Sequence, residues 1–224
     1  MMLATAARAP SAPPALVPSV IHGDAIADLV AFVQTPAQLV TAPLPWPEGD
    51  TLTLDVLAPW THAMRVAVDD VVSPEQLEGL APPQLPSAVG FLDRLAFAAT
   101  VFADLVGATA VGVRVRVGVE PQCPRFHVDQ VPARGVWVAC GPGTEWLEDH
   151  AADRSRLGHQ AGDLSDADSG LILDPNGLHA VGPNRLAVFK GELWSGNGGQ
   201  SVIHRSPPSN GEPRLTATFD WLDA

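Results

Sequence analysis

Residues 111–119 of this 224-residue chain read VGVRVRVGV. Valine stands at every odd position, and glycine or arginine stands at every even position. Because side chains alternate between the two faces of a β-strand, the stretch predicts a strand with one apolar face. Turn residues separate five further runs that predict strands in the C-terminal half: 125–131, 134–140, 185–190, 200–204 and 214–220.

The chain before Gly107 favours helices. A helix is predicted from about residue 87 to residue 106, because Phe91, Leu95 and Phe102 recur on one face. A shorter helix is predicted over residues 24–34, where apolar residues again share a face.

Two further patterns lie in the N-terminal half. The stretch Ser73-Pro74-Glu75-Gln76 is a capping-box pattern and predicts that a helix begins there. Residues 51–57 alternate in polarity like a short strand.

A helical front half followed by many short strands is typical of an α+β protein that is mainly β. We predict a jelly roll, or double-stranded β-helix, with the N-terminal helices packed outside it. The expected domains are a flexible N-terminal arm over 1–22, a helical or mixed buttressing segment over 23–106 and a jelly-roll metal-binding domain over 107–224. The last two are expected to form one compact unit, in which the polar stretch 148–183 holds at most short elements.

The composition excludes several classes of function. A formal net charge of −12 argues against binding to nucleic acid or to an anionic membrane, because both need a basic surface. Lys190 is the single lysine, so almost all cations are arginines, which suit the binding of planar carboxylates. We find no apolar run long enough to span a membrane and no signal-peptide pattern, so the expected compartment is the cytoplasm. Two cysteines do not make a disulfide framework.

A metal site is predicted from two distant motifs. Residues 123–130 read CPRFHVDQ, and in a strand His127 and Asp129 would point to the same side. A second histidine, His204, follows 77 residues after the first, at the end of a later strand. This is the ligand order of the two-His-one-carboxylate triad, which holds Fe(II) on one face and leaves positions for a co-substrate and O₂. We therefore predict His127, Asp129 and His204 as metal ligands and catalytic residues.

A co-substrate site is predicted beside the metal. Arg214 lies ten residues after His204, and Thr216 shares its face of the last predicted strand. A guanidinium suits the distal carboxylate of 2-oxoglutarate, and the threonine hydroxyl can add a hydrogen bond. Arg125 falls on the same predicted side as His127 and is a further candidate for contact with an anionic ligand.

The residues of the predicted metal and co-substrate sites also have simpler interpretations. A lone His-x-Asp is a weak motif, and His127 taken alone is better explained as a hydrogen-bonded strand histidine. Arg214 and Arg125 are equally explained as partners of acidic side chains. A rival zinc site of the Cys₂His₂ type would use Cys123, His127, Cys140 and His204, although the chain has no Cys-x-x-Cys pair.

Four blocks of this sequence resemble a bacterial family catalogued as domain of unknown function 1826: 123–129, 141–147, 189–194 and 204–208. The resemblance covers roughly residues 85–222. It implies a bacterial context and an association with zinc-homeostasis gene neighbourhoods, but no established activity. Separately, the segment from Asn184 to Trp221 is similar to the closing strands of Fe(II)/2-oxoglutarate dioxygenases. That likeness implies Fe(II) and 2-oxoglutarate as cofactors.

Two functions are therefore expected. The first is an Fe(II)/2-oxoglutarate-dependent dioxygenase-like protein that hydroxylates an unknown small molecule or protein. The alternative is a non-enzymatic, cupin-like protein that binds zinc in metal homeostasis.

Overall fold

The computed structural model describes five parts of the chain: residues 19–45, 59–83, 85, 89–158 and 164–222. The alternating stretch 51–57 and the start of the predicted helix at residue 87 lie outside the described residues. Most of the predicted N-terminal arm lies outside them as well.

The described residues are mainly β, with few helices, as predicted for an α+β protein. The strands are β1 Val20–His22, β2 Leu39–Pro43, β3 Trp60–Ala67, β4 Ala110–Gly118, β5 Ala133–Cys140, β6 Glu145–Leu147, β7 Leu178–Ala180, β8 Arg185–Lys190, β9 Ile203–Arg205 and β10 Arg214–Trp221. The α-helices are α1 Ala31–Gln34 and α2 Val89–Val106. Short 3₁₀ helices cover Ile26–Val30, Pro74–Leu80, Asp149–Ala151, Arg154–Arg156 and Pro175–Gly177.

Two sheets organise the described chain. The larger has the order β1-β2-β8-β5-β10-β4-β3, and the smaller has the order β7-β6-β9. Neighbouring strands are antiparallel except for the parallel pair β1 and β2. From β4 onward the chain crosses repeatedly between the sheets: β5, β8 and β10 belong to the large sheet, whereas β6, β7 and β9 belong to the small one. Residues of both sheets, such as Arg134 of β5 and Arg205 of β9, line one cleft.

The main core lies between α2 and one face of the large sheet. The valines of β4 are buried, and the glycine and arginines between them are less so, which confirms the predicted alternation. Phe91, Leu95 and Phe102 of α2 are fully buried, as their spacing predicts. Phe102 packs against Phe219 of β10 with ring centroids 6.2 Å apart. Because this face is apolar, the opposite face of the sheet is left for the polar residues of β4 and β10.

The structure differs from the sequence prediction in several strands. The strand predicted over 125–131 is reduced to a single β-bridge at His127. The strand predicted over 200–204 is the shorter β9. Five observed strands were not predicted: β1, β2, β3, β6 and β7. Three of them have only three residues, which is too short for a detectable period, and β3 is an edge strand whose residues are mostly exposed.

In the described parts of the chain, every helix is too short or too polar to cross a lipid bilayer. The predicted 1–22 arm includes β1, which pairs with β2 from Val20 to His22. Among its described residues, the predicted excursion over 148–183 contains 3₁₀ turns, the three-residue strand β7 and an isolated bridge between Ala152 and Ile172.

Candidate functional site

The backbone brings His127 and His204 directly opposite each other. Each residue donates its N–H to the carbonyl oxygen of the other, and both N···O distances are 3.0 Å. Residues that face each other in an antiparallel pair project from the same side of the sheet. The two imidazole rings are therefore neighbours, with centroids 4.5 Å apart.

Backbone carbonyls orient both rings. Nδ1 of His127 lies 2.9 Å from the carbonyl oxygen of Arg125, and Nδ1 of His204 lies 3.1 Å from that of Val202. Because a carbonyl oxygen only accepts hydrogen bonds, each Nδ1 carries the proton. The lone pair of each neutral ring is then on Nε2, which is the arrangement of a metal-binding histidine held by a second residue.

Asp129 lies between the two imidazoles. Its side chain is only 5% exposed, with Oδ2 3.3 Å from Nε2 of His204 and Oδ1 3.8 Å from Nε2 of His127. Oδ1 also accepts a hydrogen bond of 2.5 Å from Nη1 of Arg134, whose Nε donates to Asp220 at 2.6 Å. Burial alone would raise the pKa of Asp129. The interaction with His204 and the charge of Arg134 outweigh this effect and hold the pKa of Asp129 below its usual value.

These residues fit a divalent metal ion. Nitrogen and oxygen atoms of His127, Asp129 and His204 lie within 4.8 Å of one another, the one such group of three among the described residues. Oδ2 of Asp129 is buried and has no hydrogen-bond partner in the described structure. A buried, anionic oxygen without a donor is costly unless a cation takes that place. Two imidazoles and one carboxylate are the donor set of a facial metal site.

A cleft that is partly open to solvent extends from the two histidines to the polar face of the large sheet. Its far wall includes the predicted residues Arg214 and Thr216 of β10. The other lining residues are Arg114, Gln122, Cys123, Arg134, Val136, Thr144, Arg205, Ser206 and Thr218. The predicted metal ligands and the predicted anion-binding residues of β10 thus line one space.

Arg214 is held by neutral groups. Its Nε donates to the carbonyl oxygen of Pro142 at 2.7 Å, and its two Nη atoms lie 2.8 Å from Oγ1 of Thr144 and 3.3 Å from Oγ of Ser206. No carboxylate of the described residues forms an ion pair with it. Burial, with the nearby charge of Arg116, lowers the pKa of Arg214 to about 10, so the guanidinium remains cationic at neutral pH. An anionic ligand would complete this environment.

The structure does not bring Arg125 to the cleft. Its Nε lies 3.1 Å from Oδ1 of Asp166, and the residue is not part of the cleft wall. The prediction that Arg125 shares the side of His127 assumed a continuous strand, and the ladder here is a single bridge.

The cysteines of the rival zinc site are separated. Cys123 lines the cleft, and a hydrogen bond with His127 lowers the pKa of its thiol. Cys140 pairs with Leu215 and packs against the main core, on the other face of the large sheet. It therefore does not approach His127 and His204, and the four-residue Cys₂His₂ cluster is not formed.

Sequence reasoning missed Arg134, which fixes the carboxylate of Asp129. Its other partner, Asp220, is 86 residues away along the chain and is its neighbour in the β5–β10 register. The one local sequence signal for this role is that Arg134 lies five residues after Asp129, and this spacing belongs to no recurring pattern. The role of Arg134 therefore depends on strand pairing, which spacing does not disclose.

Comparison with known families gives one match. The sequence model of the family described as "Protein of unknown function (DUF1826)" matches residues 48–220. No curated protein matches the chain in sequence.

Solved structures of similar shape include several oxygenases. The rice dioxygenase for auxin oxidation has a TM-score of 0.47 and 15% identity, covering 91% of this chain and 82% of that chain. A full-length Neurospora crassa protein in complex with alpha-KG has a TM-score of 0.43 and 12% identity, covering 94% and 86%. Arabidopsis thaliana dioxygenase for auxin oxidation 1, with 2-oxoglutarate, has a TM-score of 0.42 and 13% identity, covering 88% and 75%.

Proposed function

This chain belongs to the DUF1826 family, and we propose from its site that it is a non-haem Fe(II)/2-oxoglutarate-dependent dioxygenase-like enzyme acting on an unknown substrate. One observation carries the proposal. His127, Asp129 and His204 converge, the two histidines line a cleft, and Arg214, a half-buried cation without an acidic partner in the described structure, lines the same cleft. A metal site next to an anion site is what a metal-chelating dicarboxylate requires.

In this proposal the chain's residues bind and orient. His127, Asp129 and His204 would hold the metal. When bound, Fe(II) supplies the redox chemistry that couples the reduction of O₂ to the oxidation of 2-oxoglutarate and of a substrate C–H bond. Arg134 fixes the orientation of the Asp129 carboxylate. Arg214 holds the distal carboxylate of 2-oxoglutarate.

We also infer that the two sheets form a jelly roll. The chain from β4 to β10 crosses back and forth between a large and a small sheet, and His127 bridges to β9 at the edge of the small one. This alternation supports a double-stranded β-helix. The N-terminal half supports a single compact unit, because β2 and β3 belong to the large sheet and α2 covers its apolar face.

Uncoupled turnover of 2-oxoglutarate tests the activity. Fe(II)-loaded protein is incubated in air with 2-oxoglutarate, and succinate and O₂ consumption are measured. We expect succinate formation that depends on Fe(II) and is lost in the Asp129→Ala variant. The exposed-residue variant Arg65→Gln is the matched control and should behave as the unmutated protein. Absence of both succinate formation and O₂ consumption with the unmutated protein would contradict the enzymatic proposal.

The alternative, a zinc-binding protein of metal homeostasis, is favoured by one observation. Cys123 lines the cleft, and the interaction with His127 lowers the pKa of its thiol. A thiolate ligand would favour zinc and would close the coordination sphere.

Cysteine variants separate the two candidates. If the site is oxygenase-like, Cys123→Ser and Cys140→Ser should retain the metal, because neither sulfur belongs to the converging donor set. The content of iron and zinc is measured by elemental analysis after anaerobic purification. Cys140→Ser serves as the control, because Cys140 lies on the other face of the large sheet. Loss of the metal in Cys123→Ser alone would support the zinc site instead.

A further inference from the structure

Two arginines that the proposed function does not use lie beside Arg214. Arg114 and Arg116 alternate with buried valines on β4, so their side chains share the polar face of the large sheet. In the β4–β10 register Arg114 is opposite Thr218, and Arg116 is opposite Thr216. Arg114 lines the cleft together with the two histidines. Arg116 lines an adjoining recess that also includes Arg214, Thr216 and Glu120.

Neither arginine has an ion-pair or side-chain hydrogen-bond partner among the described residues. A lack of acidic residues does not explain the missing partners, because the chain has 25 acidic residues and 13 basic ones. Arg205, on the wall of the same cleft, contacts both Glu145 and Asp166. Glu120 lines the recess of Arg116 but does not come within ion-pair distance.

The polar face around Arg114 also contains a hydroxyl group without a hydrogen-bond partner. Oγ1 of Thr218 is buried and has no hydrogen-bond partner in the described structure. Thr218 lies opposite Arg114 on the neighbouring strand and lines the same cleft. A buried hydroxyl without a partner and a cation without a counter-charge both lack what an anionic ligand provides.

Repulsion between Arg116 and Arg214 strengthens this point. After burial, the charge of Arg116 is the next cause that lowers the pKa of Arg214, so the two guanidinium groups lie close enough to repel. One anion at Arg214 leaves Arg114 and Arg116 uncompensated. Two anionic groups, held side by side on this face, match the three cations better than the single distal carboxylate of 2-oxoglutarate does.

We propose that the substrate to be oxidised carries its own anionic group, a carboxylate or a phosphate, and that Arg114 and Arg116 bind this group beside the co-substrate. The proposal rests on the proposed function and names the substrate class of the same cleft. Arg114 is a specificity-determining residue in this account, because it lines the space that the metal ligands face.

Inorganic sulfate is the probe, because it carries negative charge but does not imitate the metal-chelating end of 2-oxoglutarate. Sulfate is titrated calorimetrically, without O₂, into protein loaded with Mn(II) and saturated with 2-oxoglutarate. We expect Arg114→Gln and Arg116→Gln each to weaken sulfate binding by about tenfold or more, the usual size of a charge-assisted hydrogen bond. Arg65→Gln is the matched control, since this exposed arginine lies opposite Gly112 on the adjacent strand and does not line the cleft.

A parallel titration of 2-oxoglutarate separates the possible failures. Its affinity should change by no more than about twofold in Arg114→Gln, because that residue does not hold the co-substrate. If Arg114→Gln weakens 2-oxoglutarate as much as Arg214→Ala does, Arg114 belongs to the co-substrate site and the proposal is wrong. Equal sulfate affinity in the Arg65, Arg114 and Arg116 variants also overturns it.

If the protein is not a 2-oxoglutarate-dependent dioxygenase, the titrations should give a different set of results. The unmutated protein would then bind no 2-oxoglutarate, whereas sulfate titrated into metal-free protein would still depend on Arg114 and Arg116. That result would keep the anion subsite and remove the dioxygenase. Circular-dichroism melting of each variant verifies that the strand is intact.

Discussion

Alanine at His127, Asp129 or His204 is expected to reduce the bound metal from about one divalent ion per chain to almost none. Each residue supplies one of three donor groups that lie within 4.8 Å of one another. Removing one leaves a two-ligand site, and removing Asp129 also removes the only negative charge among the three. The variants are purified without oxygen, and their metal content is measured by elemental analysis.

The matched control for these variants is His179→Ala. His179 also lies on the small sheet, but it contacts Glu148 at 2.9 Å and belongs to no converging metal-binding group of the described residues. This variant should keep the metal. Melting curves of the metal-free variants test whether the chain folds. If two of the three ligand variants retain their metal while folded, the triad is not the metal site.

The structure brings His127 and Asp129 close together, as the sequence predicts. The structural reason differs from the predicted one. A continuous strand was expected to turn both side chains to one side, and the structure has only the His127–His204 bridge there. One reciprocal pair of backbone hydrogen bonds is enough to place the two imidazoles together. The same assumption of a continuous strand fails for Arg125, which pairs with Asp166.

The alternation of apolar residues predicts a strand correctly where that strand packs against the core. β4 and β10 bury one face against α2, so their valines, leucine and phenylalanine alternate with polar residues. β3, at the edge of the sheet, packs Trp60, Met64 and Val66 against the core but exposes most of its residues, and its sequence does not predict a strand. The partners that complete the site, such as Arg134 with Asp220, depend on which strands become neighbours. Sequence spacing along one chain does not contain that information.

Arg214→Ala is expected to weaken the binding of 2-oxoglutarate by about ten- to a hundredfold. The guanidinium faces the cleft, and its described hydrogen-bond partners are the neutral groups of Pro142, Thr144 and Ser206. A charge-assisted, two-point contact with a carboxylate contributes about 1.5–3 kcal/mol, which corresponds to that range. Metal content should not change, because Arg214 contacts none of the three ligand residues.

The measurement is calorimetric titration of 2-oxoglutarate into Mn(II)-loaded protein without oxygen. Arg214→Lys keeps the charge but not the planar fork, so its affinity should lie between those of the unmutated protein and the alanine variant. Arg65→Ala removes an equal charge from an exposed position outside the cleft and should leave the affinity unchanged. If the unmutated protein binds no 2-oxoglutarate, or if Arg214→Ala binds it equally well, the co-substrate has no place in this cleft. A metal-binding protein without 2-oxoglutarate chemistry would then be the better account of the same three ligands.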